Sequence, residues 1–173
     1  LDFPQNVFTI GSLSLNDIKS FVPIERQTFF EKFGIPDEEF VLVTFHPETM
    51  SSQDNFRYAE EMKKSLKNIS KDRFIVITMP NADTQGSIYR EAIEKLKLEV
   101  PDRILLIENF GKINYFSAMY YSALLLGNTS SGILEAASFE KYVVNVGDRQ
   151  KGRAQSKNII NCEFEEKAIV SSV

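Results

Sequence analysis

Runs of consecutive aliphatic and aromatic residues recur along this chain, with no polar residue alternating between them. FVLVTF (Phe40–Phe45), FIVITM (Phe74–Met79), ILLI (Ile104–Ile107), ALLLG (Ala123–Gly127) and YVVNV (Tyr142–Val146) are too short for helices and too uniformly apolar for strands with one wet face. A strand without alternation must be covered on both sides. The intervening segments supply the cover. From Ser52 to Lys67 the residues Phe56, Ala59, Met62 and Leu66 fall on one helical side, with lysines and glutamates opposite. From Gln85 to Leu98, Ile88, Ala92 and Leu96 recur every fourth residue. A third pattern runs from Ile113 through Phe116 to Tyr120, and Ser130–Phe139 reads as a short helix. Strands alternating with helices build right-handed crossovers. The expected fold is therefore α/β, a Rossmann-like parallel sheet with helices on both faces.

The flanks are less regular. VFTIG (Val7–Gly11) suggests an edge strand, and Glu25–Phe33 a helix ended by Gly34 and Pro36. NIIN (Asn158–Asn161) suggests a last strand, and Glu163–Val173 a final helix. With 173 residues and no internal repeat, one domain over residues 1–173 is expected. The start at Leu1 rather than a methionine suggests a piece of something longer.

Charge narrows the partners. A net charge of −4 gives no general attraction to nucleic acid or a membrane surface, although a small anion remains open where basic residues converge. No apolar run approaches the ~20 residues of a membrane span, and no signal peptide is read before the fold. A single cysteine, Cys162, offers no internal disulfide and points to a reducing cytoplasm. One histidine and one cysteine far apart make no metal site.

In open α/β sheets ligands bind beyond the carboxyl ends of the strands. Polar clusters stand there in this chain: HPETMSS from His46, PNADTQGS from Pro80, GNTSSG from Gly127 and GDRQKGR from Gly147. A single site requires all four at one edge. In GNTSSG, Gly127 permits a tight turn, and Thr129, Ser130 or Ser131 can cap the following helix and leave amides facing an anion. Glu135, about one turn on, suits two neighbouring ribose hydroxyls, or it is a solvated first-turn acid. Arg149 and Arg153, with Lys151 between them, offer forks for phosphate oxygens or form a solvated basic loop. His46, before Pro47, either contacts phosphate and exchanges a proton or is satisfied by a backbone carbonyl. Asn81 and Asp83 are strand-end ligands or Asx-turn residues. Phe110 could pack on a base, but core packing suits it better.

Taken together, His46-Pro47-Glu48-Thr49, Pro80–Asp83, Gly127–Glu135 and Gly147–Arg153 resemble the C-terminal half of hydrolysing UDP-N-acetylglucosamine 2-epimerases, with the family's HP-x-T, PN-x-D, GN-[ST]-S-x-G-x-x-E and G-x-RQ-x-GR segments in order. The likeness runs from about Val7 to Cys162. It implies one half of a two-domain GT-B-like fold, with UDP or a UDP-sugar held mainly on this half. Carried over by position, Thr129, Ser130 and Ser131 bind the diphosphate and Glu135 holds the ribose. Arg149 and Arg153 face the diphosphate or sugar, Asn81 and Asp83 line the site, and His46 lies near the phosphates as the catalytic candidate. The family reaction eliminates UDP to a 2-acetamidoglucal and hydrates it to N-acetylmannosamine for sialic-acid-type sugars, without a cofactor. The family's N-terminal half, which contributes further carboxylates and arginines and most of the homodimer contact, has no counterpart in these residues. The isolated chain is accordingly expected to bind nucleotide weakly and not to turn over. Glu48 stands where valine is common in the family, which leaves GDP-sugars and diacetamido sugars open. A GT-B glycosyltransferase donor domain is the nearest rival. A receiver-type signalling domain fits less well, since the first central strand ends in Thr-Phe-His-Pro rather than in clustered aspartates.

Overall fold

Successive side chains of a strand point to opposite faces, so a buried strand must feed two cores. β1 (Phe40–Thr44) does this: Val41 and Val43 enter one apolar cluster, Phe40 and Leu42 the other. The computed structural model describes residues 13–48, 52–81 and 85–173. Within them β1 is joined by β2 (Phe74–Thr78), β3 (Ile104–Ile107), β4 (Leu124–Gly127), β5 (Tyr142–Val146) and β6 (Ile159–Cys162). All pairings are parallel and the order is β3-β2-β1-β4-β5-β6. The α/β fold expected from the apolar runs is the one observed. The Val7–Gly11 strand expectation lies outside the described residues.

Helices α1 (Leu13–Ile18), α2 (Arg26–Phe33), α3 (Asn55–Ile69), α4 (Gly86–Glu99), α5 (Lys112–Tyr121), α6 (Ser130–Leu134) and α7 (Glu166–Ser172) complete the fold. The first cluster joins Met62 and Leu66 of α3, Ile93 and Leu96 of α4 and Ile169 of α7 to the sheet. The second joins Phe29 and Phe30 of α2, Phe116 and Met119 of α5, and Phe139. The chain therefore climbs from β1 to β3 over one face, and α5 returns it across the other face to β4. At the β1–β4 pair the connections diverge in opposite directions and leave a crevice above the strand ends, the usual ligand position in such sheets.

Three helical expectations are corrected. Phe56 is 70% exposed, because the buried side of α3 is Asn55, Ala59, Met62 and Leu66, one residue round from the expected stripe. A polar residue takes an inner position there because Asn55 is fully hydrogen-bonded, as described below. In α5, Ile113 and Tyr120 point outward while Ser117, Ala118 and Met119 are buried. The small Ser117 and Ala118 let the helix sit close to the sheet, and Ser117 Oγ accepts the Ile24 N–H at 3.1 Å. Ser130–Phe139 is not one helix: α6 ends at Leu134 and a 3-10 turn continues from Ala136 to Phe139. Phe110 packs edge-on against Phe33 at 4.7 Å and is core. Since Phe56 buries little, Phe56→Glu is expected to change unfolding free energy by less than about 0.5 kcal/mol, read by urea denaturation. A loss above about 1.5 kcal/mol would return Phe56 to the core.

Candidate functional site

Residues at or next to the carboxyl ends of five strands lie in register across the sheet. Thr44 pairs with Thr78 and Gly127, and Gly127 with Asn145, which pairs in turn with Asn161. By alternation all of these face the α5–α6 side, so from β2 to β6 the carboxyl edge carries a row without large apolar side chains there, bounded by Ile107 at the end of β3. Thr44 Oγ1 and Thr78 Oγ1 are 2.6 Å apart, and Asn145 Nδ2 donates to Asn161 Oδ1 at 2.8 Å.

Gly127 sits at the centre of that row, with φ +144. A Cβ added there would lie 1.9 Å from the Thr44 carbonyl oxygen, so the approach of β4 to β1 requires its absence. The next residue, Asn128, is fully buried and ties the two strand ends together. Its Oδ1 accepts the His46 N–H at 2.7 Å and its Nδ2 donates to the His46 carbonyl at 2.8 Å. Its own carbonyl accepts from Gln150 Nε2 at 2.8 Å and Arg149 Nη1 at 3.3 Å. One asparagine thus joins the loops after β1, β4 and β5 into a single rim.

The β5 loop is held a second way. Glu48 is buried, and its Oε1 accepts the Arg149 N–H at 3.1 Å. Gly147, at φ +72, gives that carboxylate its room: an added Cβ would lie 3.0 Å from Glu48 Oε1. Asn55 holds the Glu48 main chain, taking its N–H at 2.9 Å and donating to its carbonyl at 3.1 Å. Tyr89 Oη donates to Asn55 Oδ1 at 3.3 Å, and Asn55 Nδ2 donates to Gln85 Oε1 at 3.0 Å. Burial pushes the Glu48 carboxyl above its ordinary range, against the opposing pull of the Arg149 N–H, the Asn128 side chain and the Arg149 guanidinium.

On the α6 side, Thr129 is the N-cap, and its Oγ1 accepts the Ser131 N–H at 3.4 Å. Glu135 is buried just after α6, and its Oε2 has no hydrogen-bond partner among the described residues. A buried carboxylate oxygen left unpaired costs about 1–3 kcal/mol or more, so this one is poised for a donor from outside. Tyr115 Oη stands 3.5 Å from Thr44 Oγ1. Burial, and then the Glu135 charge, push its phenol upward, while Thr44 and Ser131 oppose. Thr44, Tyr115, Gly127, Thr129 and Gly132 line a small cleft between sheet and helix.

The structure brings His46, Thr129, Ser130, Ser131, Glu135 and Arg149 to the carboxyl edges of β1, β4 and β5. Ser130 and Ser131 are half-buried, and His46 is half-buried with its main chain pinned. Arg153 is exposed in the β5 loop beyond Gly152, and its N–H reaches only the Gln150 carbonyl. Asn81 is exposed beyond β2, next to the Pro80 carbonyl that accepts from Arg90 Nη1. Asp83, with Thr49, lies outside the described residues. Sequence reading passed over Asn128, Asn55, Gln150 and Tyr115. Asn128 had a signal, since it follows a strand-end glycine. Gln150 had one too, as part of the RQ-x-GR segment, whereas Asn55 and Tyr115 had none, because nothing local distinguishes a buried amide or phenol from a solvated one. Among the described residues no group of His, Cys, Asp and Glu suits a metal ion, and no helix is long and apolar enough to cross a membrane.

Comparison with known proteins agrees with this fold. Residues 2–173 match the family described as UDP-N-acetylglucosamine 2-epimerase. The chain is 31% identical to the GDP/UDP-N,N'-diacetylbacillosamine 2-epimerase (hydrolyzing) of Campylobacter jejuni, over 92% of this chain and 42% of that protein. It is also 31% identical to the polysialic acid biosynthesis protein P7 of Escherichia coli, over 98% of this chain and 43% of that protein. The chain thus spans less than half the length of these relatives. In fold it resembles the crystal structure of a protein described as a UDP-N-acetylglucosamine 2-epimerase from Listeria monocytogenes, at a TM-score of 0.75 and 18% identity, covering 99% of this chain and 44% of that one. The UDP-GlcNAc 2-epimerase of Neisseria meningitidis bound to UDP-GlcNAc follows at 0.68 and 18%, covering 92% and 42%.

Proposed function

The chain belongs to the UDP-N-acetylglucosamine 2-epimerase family, and on that premise we propose that it is the nucleotide-binding domain of a hydrolysing UDP-sugar 2-epimerase. The observation that carries the reading is the unpartnered Oε2 of Glu135, buried at the same rim as the Thr129 cap and the Arg149 fork. A ribose offers two hydroxyl donors to such a carboxylate. The diphosphate then falls over Thr129, Ser130 and Ser131, within reach of Arg149, Arg153 and His46, with Asn81 at the outer edge; Asp83 stays a substrate-binding candidate by its place in the sequence motif. The sugar follows toward the space a second half would close.

The reaction proposed for the whole protein removes the proton at sugar C2 while the C1–O bond to UDP breaks, giving UDP and a 2-acetamidoglucal. Water then adds across the new double bond, with a proton returned to C2 on the opposite face, to give N-acetylmannosamine. His46 is the acid candidate at the leaving diphosphate, and no cofactor enters. A second reading, in which the sugar carries two acetamido groups, is favoured by the description of the Campylobacter relative. In either reading a cytoplasmic enzyme is proposed, feeding sialic-acid-type sugar synthesis, and this chain alone carries no turnover.

A ¹⁵N NMR titration of this chain with UDP tests the reading. We expect shifts at His46, 127–135 and 147–153, and a dissociation constant no tighter than about millimolar, or about −4 kcal/mol, because half the cleft is contributed elsewhere. No shift at those amides in excess UDP overturns it. Turnover of UDP-N-acetylglucosamine by this chain alone would overturn the division of labour between halves. In a protein of the relatives' full length, UDP release only in the presence of a sugar acceptor would favour a glycosyltransferase instead.

A further inference from the structure

We propose that Glu48 is a positioning residue: by accepting the Arg149 N–H from beneath, its buried carboxylate holds the Gly147–Arg149 turn so that the Arg149 guanidinium faces a nucleotide diphosphate at the β1–β4 crevice. The inference rests on the nucleotide reading above and adds to it a residue that does not touch the ligand.

Three features of the packing carry it. The Glu48 main chain needs no help from its own side chain, because Asn55 accepts its N–H and donates to its carbonyl. Asn55 is itself supported by Tyr89 and Gln85. The carboxyl therefore acts outside its own loop: Oε1 reaches Arg149 N at 3.1 Å, across 101 residues of sequence, and the Asn128 side chain also hydrogen-bonds it. Gly147 meanwhile leaves no side chain where the carboxylate lies. Finally, the same loop places Arg149 Nη1 and Gln150 Nε2 on the Asn128 carbonyl, so displacing the turn displaces the guanidinium from the rim.

Stability does not account for a carboxylate at this position. Glu48 is 6% exposed, and an ionised group there is disfavoured unless well paired. The charged or titratable groups facing it are Arg149 and Asp148 from the β5 loop and Tyr89 from α4. Arg149 favours the ionised form and Asp148 opposes it. Asn55 of α3 and Asn128 beyond β4 are neutral. The folded-state value lies above the ordinary carboxylate range, so the folded form holds this proton more tightly than the unfolded form. Its contribution to stability is fully present below that range and falls as pH rises through the folded value. At neutral pH an uncharged isostere should therefore hold the fold at least as well, yet accept the Arg149 N–H less strongly.

The test is Glu48→Gln, alone and with Arg149→Ala, read by melting temperature and by the UDP dissociation constant from NMR titration at pH 7 and at pH 5. At pH 7 we expect an unchanged or raised melting temperature together with UDP binding weakened about fivefold to tenfold. The wild-type-to-variant ratio should narrow from pH 7 to pH 5, because burial raises the native carboxyl and brings its protonation closer to that range. Taking that ratio cancels the titration of UDP itself. In the Arg149→Ala background Glu48→Gln should change affinity by less than about twofold, because the effect travels through Arg149. Unchanged affinity in Glu48→Gln, a fall in melting temperature parallel to the fall in binding, or a full effect without the Arg149 side chain would each overturn the inference while leaving the nucleotide reading in place. Absence of UDP binding by the unsubstituted protein would remove both.

Discussion

Gly127→Ala is expected to lower unfolding free energy by at least about 3 kcal/mol, which for a chain of this size is a fall in melting temperature of roughly 6–12 °C. The reason is local and steric. The new methyl would stand 1.9 Å from the Thr44 carbonyl oxygen and 2.7 Å from its carbon, and both are main-chain atoms that cannot swing aside. The backbone at φ +144 is moreover one that residues with a Cβ rarely adopt. Relief requires parting β4 from β1 at the Thr44–Gly127 register position, where Asn128 N also donates to Thr44 O at 3.2 Å. UDP binding should be lost as well, because those strand ends form the crevice. Calorimetry or circular dichroism on the variant reads the effect. A melting temperature within about 2 °C of the parent would mean that the strand ends are further apart than described here.

Asn128→Ala should cost about 2–4 kcal/mol, through a different route. Both main-chain groups of His46 lose their partner, the N–H at 2.7 Å and the carbonyl at 2.8 Å. Neither has a ready replacement in a site closed to water at Asn128 itself, which is fully buried. The strands should persist, since no ladder bond uses the Asn128 side chain. The predicted signature is thus an intact sheet by circular dichroism, a lowered urea midpoint, and UDP affinity reduced by more than tenfold as His46 leaves the rim. Loss of less than about 0.5 kcal/mol, or unchanged UDP binding, would show that His46 is held by something else.

These two positions also show what was legible from residue order. Gly127 was readable: a glycine closing an aliphatic run before small hydroxyls has few explanations, and the need for a tight turn follows from the pattern. Asn128 beside it was readable only as the residue after a strand-end glycine; its role was not, because that depends on His46, 82 residues earlier in the chain. Phe56 was misread for a related reason. Helical periodicity locates a stripe to within a residue or so, and what decided between Phe56 and Asn55 was a hydrogen-bonding partner, Glu48, that no helical period contains. Glu48 itself was visible only as an unusual residue in its motif. Its burial and its hold on Arg149 come from the β1 and β5 loops meeting.

From residue order alone came the strands, their coverage on both faces and the edge that carries the polar clusters, because strand and helix periodicities are local properties repeated often enough to average out single exceptions. Tertiary structure alone decided which polar groups are buried, which of them hold one another, and which, like Glu135 Oε2, find no partner among the described residues. Hydrogen bonds between loops far apart in sequence depend on angles and distances that the sheet's register sets, and no local pattern records them.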